Sequence, residues 1–379
     1  MKIRFAFVNG IWQLCMVVAA FQQEQKSNPG AAYKDYLILY SRKTANLELI
    51  QFVKTVSEQF WHWHGVVWVD WTVTDWNQNL AKDRHSPVQQ ILTTFNLSHT
   101  SQVDEIWLCK IQFLAERLCA DIFSRATIFL YEDGLHTYAP IKHLVELPSV
   151  NLLDLRATLI NYKNLLQKWF SNQLEWQHQG VKRSHIRRIK TFYSVIGKQL
   201  PIPSVLQNTD LKVVDPSLLQ TFFSDLYDRL QCQFALEAAS GKKNALLLGS
   251  NLSHLQSFPR QHEVAAFATV IRKLTDQAYV IYWKEHPRNK KPLFEDLKEM
   301  VSSDNLVYLS GEQKIPIEVL VSENKVDLCC STLSSSLFYL KQIYGIKTVT
   351  CVRPLLPYLK GDFLRLSELT LAHIEEADQ

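Results

Sequence analysis

Apolar residues along the chain recur in two rhythms. Short β-branched or aromatic runs stand at 3–8, 35–41, 66–73, 105–108 and 126–130. Between them lie stretches with helical spacing at 11–25, 47–60, 87–95 and 110–123, the last carrying Ile111, Leu114, Leu118 and Ile122 on one face. Strands alternating with helices predict a parallel, doubly wound sheet covered on both faces. From Leu152 to about Phe192 the pattern is helical and aromatic, with Trp169 and Trp176, and it ends in a basic run: Lys182, Arg183, His185, Arg187, Arg188 and Lys190. Pro201 and Pro203 mark a boundary, and Asp215-Pro216 opens a helix reaching Leu230. A second α/β cycle follows, with strands at 245–248, 279–283, 306–309, 326–330 and 347–352. Its helices fall at 261–278, 293–301, 317–321 and 337–344. The expected organisation is an α/β N-terminal domain at 1–190, a linker and helical connection at 191–240, and an α/β C-terminal domain at 241–379.

Composition agrees with this and narrows the partners. A chain of 379 residues is too long for one ordinary core. Its 47% hydrophobic and 21% charged residues are those of a globular protein. The net charge of +4 weakly favours an anionic ligand. It does not suggest a nucleic-acid binder, for which a pI above about 9 and a clustered basic face are expected. The seven cysteines are scattered and form no C-x-x-C pair, so they read as buried thiols in a reducing compartment, not a disulfide frame or zinc site.

The first residues have the outline of a secretory signal, Met1-Lys2-Ile3-Arg4 followed by apolar residues up to Phe21. Asn9, Gly10 and Gln13 interrupt that run and no small-residue cleavage site follows, which favours strand, turn and helix. No run approaches the ~18 apolar residues needed to span a bilayer. The expectation is a cytoplasmic protein, with peripheral association at the inner face of the plasma membrane as the membrane-side option.

Two strand ends carry most of the candidate chemistry. Tyr131-Glu132-Asp133-Gly134 follows the run ending at Leu130, and Lys284-Glu285-His286-Pro287-Arg288 follows the run ending at Trp283. Titratable groups beyond a strand end are what an open α/β sheet presents at its carboxyl edge. The first stretch can supply a carboxylate base and the second an imidazole acid, on two sheets that face each other across a cleft. Taken alone, the first reads rather as a β-turn with ordinary turn carboxylates, and the second as readily as a loop histidine among solvated charges. Lys284 and Arg288 add charge suited to phosphate or carboxylate. Ser331-Thr332-Leu333-Ser334-Ser335-Ser336 places five hydroxyls in six positions between a strand and a helix, a natural phosphate site. Gly249-Ser250-Asn251 is a weaker ligand-loop signal, and no G-x-G-x-x-G or Walker lysine motif is present. The basic run at 182–190 reads as a solvated helix face, or as a seat for a polyanion or an anionic membrane. Trp12 and the cluster Trp61–Trp76 can line a sugar site.

In this order, E-D-G, then H-P, then a Ser/Thr cluster after the next buried strand, the motifs resemble the bacterial sialyltransferases, and especially the α-2,8-polysialyltransferase-like family. Phe7-Val8-Asn9-Gly10-Ile11-Trp12-Gln13-Leu14 looks like that family's first strand and W-Q-L helix start, and Leu247-Leu248-Gly249-Ser250 like the start of its nucleotide-binding domain. The resemblance implies a GT-B fold of two Rossmann-like domains. It implies inverting transfer of sialic acid from a CMP-activated donor to a glycan of lipopolysaccharide or capsule type. Glu132 resembles the family's base, with Asp133 its neighbour, and His286 the acid that protonates the leaving phosphate. Gly249, Ser250, Lys284, Pro287, Arg288, Ser331, Thr332, Ser334 and Ser335 fall to the donor side, and Gly10, Trp12 and Gln13 to the acceptor side. No cofactor is expected beyond the donor, and no metal, since one leaving phosphate can be stabilised by imidazolium, hydroxyls and a helix start and no D-x-D motif is present. A transferase using another nucleotide sugar, or a non-catalytic glycan-binding protein on the same fold, stays open.

Overall fold

A computed structural model describes residues 1–41, 47–70, 86–98, 102–109, 111, 119–139, 144–145, 181–230, 236, 242–286, 289, 291–301, 304–309 and 315–377. The expected strand tail at 71–73, most of the helix at 110–123, the helical segment at 152–180 with its tryptophans, Trp71, Trp76, Pro287 and Arg288 lie outside the described residues.

The first sheet takes β1 (Lys2–Val8), β2 (Tyr33–Ser41), β3 (Gly65–Asp70), β4 (Glu105–Leu108) and β5 (Thr127–Tyr131). After the short pair β6 (Leu144–Val145) and β7 (Val181–Lys182), it adds β8 (Ile189–Ser194) and β9 (Asp210–Val213). Its order is β3-β2-β1-β4-β5-β8-β9, and β1 pairs parallel with both β2 and β4. Hydrogen-bonded inside a sheet, β1 is a core strand. The helix after it, Ile11–Ser27, is buried at Ile11 and from Gln13 to Phe21. Apolar residues on all its sides give it a signal-like outline, and the same residues bury it between layers. Phe21 packs edge-on to Trp107 at 4.8 Å, and Trp107 stacks on Phe129 at 4.5 Å.

The second sheet is β10 (Lys243–Leu248), β11 (Tyr279–Lys284), β12 (Leu306–Tyr308), β13 (Leu328–Ser331), β14 (Lys347–Thr350) and β15 (Glu375–Glu376). It is ordered β12-β11-β10-β13-β14-β15, with every neighbouring pair parallel. This is the 3-2-1-4-5-6 winding of a dinucleotide-type sheet. Its core gathers Leu247, Phe267, Ile271, Trp283 and Cys330. The helix Pro216–Arg229 starts where Asp215 accepts a hydrogen bond from the Ser217 N–H at 2.9 Å, with Pro216 in the first position.

The chain divides into two compact units, neither a single stretch of sequence. One comprises Met1–Asp133, Pro140–Ser194 and Ile202–Lys212; the other Gly134–Ala139, Val195–Pro201 and Val213–Gln379. The E-D-G motif is therefore divided, its two carboxylates counted with the first unit and its glycine with the second. No helix among the described residues is long and apolar enough to cross a membrane.

One expected element is replaced. The helical pattern read through Phe192 gives way to the short helix Arg183–Arg187 and then to β8. The Arg188 guanidinium donates to the carbonyls of Ala120 at 2.5 Å, Phe123 at 2.6 Å and Ala126 at 2.9 and 2.8 Å, and His185 meets Asp121 at 2.8 Å. His185 and Arg188 of the basic run are thus held by the protein, while Arg187 and Lys190 are exposed, Lys190 with its ammonium 5.9 Å from the Phe129 ring.

Candidate active site

In each sheet the winding reverses at one point, where open α/β folds take their ligands, outside the carboxyl ends of the strands. In the first sheet the reversal lies between β1 and β4. Beyond β1 the chain turns at Asn9-Gly10, Gly10 being extended as it enters the helix, and Gln13 is buried just inside. Its Oε1 accepts the Asn9 N–H at 2.5 Å. Its Nε2 donates to Cys109 Sγ, just past β4, at 3.4 Å and to Asp133 Oδ1, just past β5, at 2.7 Å. One amide thus ties three strand ends together. Glu132 is 0% exposed, its Oε2 accepting the Ser194 hydroxyl at 2.6 Å and its N–H donating to the Tyr193 carbonyl at 2.9 Å. Asp133 and Trp12 are half-buried. Gln13, Glu132 and Asp133 therefore meet at one sheet edge. Ser194 was missed because its strand was read as helix.

In the second sheet the reversal lies between β10 and β13. Gly249 follows β10, and a side chain there would meet the buried Trp283 ring at 2.9 Å, Glu285 Oε1 at 3.2 Å and the His286 backbone nitrogen at 3.3 Å. Only glycine lets the H-P loop come this close. Ser250 Oγ donates to Glu263 Oε1 and accepts from Thr332 Oγ1 at 2.7 Å, joining the ends of β10 and β13. Ser331 Oγ donates to the Leu248 carbonyl at 2.8 Å. Both Ser331 and Thr332 are 0% exposed. Leu333, Ser334, Ser335 and Ser336 are half-buried, and Ser334 caps the helix Ser335–Tyr344 by accepting the Ser336 N–H at 3.2 Å. A Cβ on Gly134, whose φ is +86°, would lie 3.2 Å from Ser335 Oγ, so the glycine of E-D-G rests against this helix start.

Three carboxylates that the sequence did not single out hold this edge. Glu285, 2% exposed, accepts from Trp283 Nε1 at 3.0 Å, the Leu293 N–H at 2.8 Å and Asn289 Nδ2 at 2.5 Å. Asn289 also donates to the Ser250 carbonyl at 2.9 Å. Glu263, 0% exposed, caps the short helix Leu252–Gln256 through the N–H groups of Leu252 at 3.3 Å and Ser253 at 3.0 Å. Burial pushes the Glu318 carboxyl above its ordinary range, against a Ser336 hydrogen bond and the charge of Lys284. Lys284 itself is 7% exposed, whereas His286 is half-buried. Beside these loops lies a cavity of about 270 Å³ lined by Asn251, Ser253, Glu263, Asn289 and Lys291.

The chain matches the family described as Alpha-2,8-polysialyltransferase (POLYST) over residues 4–353. No curated protein matches it. Among solved structures, S. aureus MnaA with UDP is 9% identical, covering 98% of this chain and 87% of its own, with a TM-score of 0.50. A putative UDP-N-acetylglucosamine 2-epimerase from Listeria monocytogenes is 9% identical, covering 92% and 79%, with a TM-score of 0.50. The GT-B domain of a Photobacterium damselae sialyltransferase is 12% identical over 100% and 99%, with a TM-score of 0.48. With two parallel α/β sheets and a family match over nearly its whole length, the chain belongs to the alpha-2,8-polysialyltransferase family and is a glycosyltransferase of GT-B fold.

Proposed function

We propose that the protein transfers sialic acid from CMP-sialic acid to a glycan hydroxyl with inversion, without a metal, in the cytoplasm and on a lipopolysaccharide- or capsule-type acceptor. The observation carrying this reading is that the serine cluster follows β13 at the second sheet's reversal point, while the E-D and H-P motifs follow β5 and β11, each one strand from its own sheet's reversal, and Gln13, just beyond β1, bonds Asp133. An acceptor hydroxyl attacks the anomeric carbon while a carboxylate of the Glu132-Asp133 pair takes its proton. The bond from that carbon to the phosphate oxygen breaks on the opposite face, and His286 delivers a proton to the departing phosphate. Ser334, Ser335 and the N–H groups opening the Ser335–Tyr344 helix stabilise the developing charge. Lys284 adds its charge from behind the loop, and Gly249, Ser250, Ser331 and Thr332 fix the loops in place. Pro287 and Arg288, which lie outside the described residues, are assigned to the donor as well.

Exposure favours a second assignment within the carboxylate pair. Glu132 is sealed and bonded to Ser194, whereas Asp133 is half-buried and held by Gln13. Asp133 then takes the proton and Glu132 fixes the strand end. Release of CMP from CMP-sialic acid, with and without a glycan acceptor pool, tests both. His286→Ala is expected to lower turnover by about 10²–10⁴-fold. If Asp133→Asn loses as much and Glu132→Gln far less, the second assignment stands; the reverse restores Glu132 as base. Turnover abolished by EDTA and restored by manganese would sink the metal-free mechanism. A wild type that neither binds nor turns over CMP-sialic acid would sink the donor and return the question to other nucleotide sugars.

A further inference from the structure

The amino edge of the first sheet carries a site that the proposed transfer does not use. The helix Leu47–Phe60 ends there and the chain enters β3 through Trp61, His62, Trp63 and His64. A cavity of about 610 Å³ opens at this turn, lined by Lys54, Glu58, Trp61, His62 and Trp63 among others. Trp61 and Trp63 are half-buried, with ring centroids 6.5 Å apart. Their polar edges are turned into the protein. Trp61 Nε1 donates to Asp35 Oδ2 at 2.8 Å, and Trp63 Nε1 to the Ser57 carbonyl at 3.0 Å. Asp35 is in turn gripped by Arg4 at 2.6 and 2.8 Å, and the Arg4 guanidinium lies over Phe21 at 3.9 Å and Tyr33 at 3.8 Å. The two indoles are thus fixed before any ligand arrives, which lowers the cost of ordering them on binding.

Fixed indole surface without free donors suits the C–H faces of sugar rings, while Lys54 and His62 can meet a sugar carboxylate and Glu58 a hydroxyl. Lys54 and Glu58 oppose each other in charge, which fits a phosphate dianion poorly. The carboxylates Glu132 and Asp133 leave the sheet at the other edge, beyond β5. Six residues of β3 alone separate the edges by roughly 20 Å.

We propose that this cavity is a second, non-catalytic carbohydrate-binding site that holds a distal stretch of the acceptor glycan. The proposal rests on the transferase reading for its ligand class. In it, an acceptor long enough to span the sheet is gripped at both edges, so affinity rises with glycan length.

The test compares wild type with the double variant Lys54→Ala/His62→Ala, both with their unfolding temperatures checked, on sialic acid oligomers of graded length. In wild type KM is expected to fall about tenfold once the oligomer spans the sheet, and in the variant that fall disappears with kcat retained. Trp63→Phe, which keeps a ring but loses indole surface, is expected to lie between them. Equal length dependence in wild type and double variant overturns the proposal. If the wild type shows no turnover, the donor reading fails separately, and calorimetry of the longest oligomer on the same proteins decides the site. Binding weakened by the substitutions supports it, and unchanged or absent binding overturns it.

Discussion

The two sheet edges that carry the motifs are held by opposite means. At the first, a single neutral amide, Gln13, reaches three strand ends, and the carboxylate it holds, Asp133, is with Glu132 a candidate for chemistry. At the second, buried carboxylates do the holding. Glu285 and Glu263 accept from backbone and side-chain donors, while the candidate for chemistry is the half-buried His286. The lesson is that a charged residue inside a motif is not thereby its reactive member. Burial and hydrogen-bond partners separate the roles. A carboxylate satisfied by three donors is a fastener, whereas a half-exposed group beside it is placed to meet a substrate.

Breaking the fasteners should expose this difference. Glu285→Ala leaves the donors of Trp283, Leu293 and Asn289 without their acceptor, and is expected to cost about 4 kcal/mol, read as a lowered denaturant midpoint. Gln13→Leu removes a charge-assisted bond to Asp133 and should cost about 2 kcal/mol, with an approximately tenfold fall in kcat. A Gln13 variant that loses more stability than Glu285→Ala would reverse the comparison. Gly249→Ala forces a methyl against Trp283, which cannot yield inside its core. An expected cost of about 1–2 kcal/mol, together with a raised KM for donor, would sharpen it; an unchanged donor KM would detach the loop from the site.

How much of this was legible follows from which forces act locally. Strands buried on both faces announce themselves as apolar runs, so β1, β2, β10, β11 and β13 were readable to within a few residues. The asparagine-glycine turn was visible as a break in the apolar run, and Gln13 through the W-Q-L resemblance. β8 was not, because the charges before it mimic a solvated helix face. The N–H groups of Arg188 are instead satisfied by carbonyls 62–68 residues away in sequence, a pairing that no local pattern reveals. Glu263 and Glu285 bond to neighbours 2–13 residues away, and escaped because a single glutamate in the sequence carries no sign of its burial. The helix Gly361–His373 and strand β15 were not assigned, although both complete the second unit.

The smallest expected effect lies away from both edges and serves as their control. Glu24, late in the helix Ile11–Ser27, takes a hydrogen bond from the Tyr193 hydroxyl and pairs with Lys212 at 2.5 Å, linking that helix to β8 and β9. Burial pushes its carboxyl up, but Lys212 and Tyr193 together outweigh burial and hold it below the ordinary carboxylate range. The folded state therefore binds the Glu24 proton less readily than the unfolded chain does. The resulting stability is complete above the unfolded value of about 4.3 and is lost as pH falls through the lowered folded value. Glu24→Gln should lower the unfolding temperature of the first unit at pH 7 by ~2–4 °C, corresponding to about 1 kcal/mol for a partly exposed pair. That deficit should shrink below about pH 4.3. A deficit that stays constant down to acid unfolding would mean that packing of the side chain, not its charge, joins the helix to the sheet. Transfer activity at neutral pH should change far less than in Gln13→Leu, because Glu24 touches neither strand end.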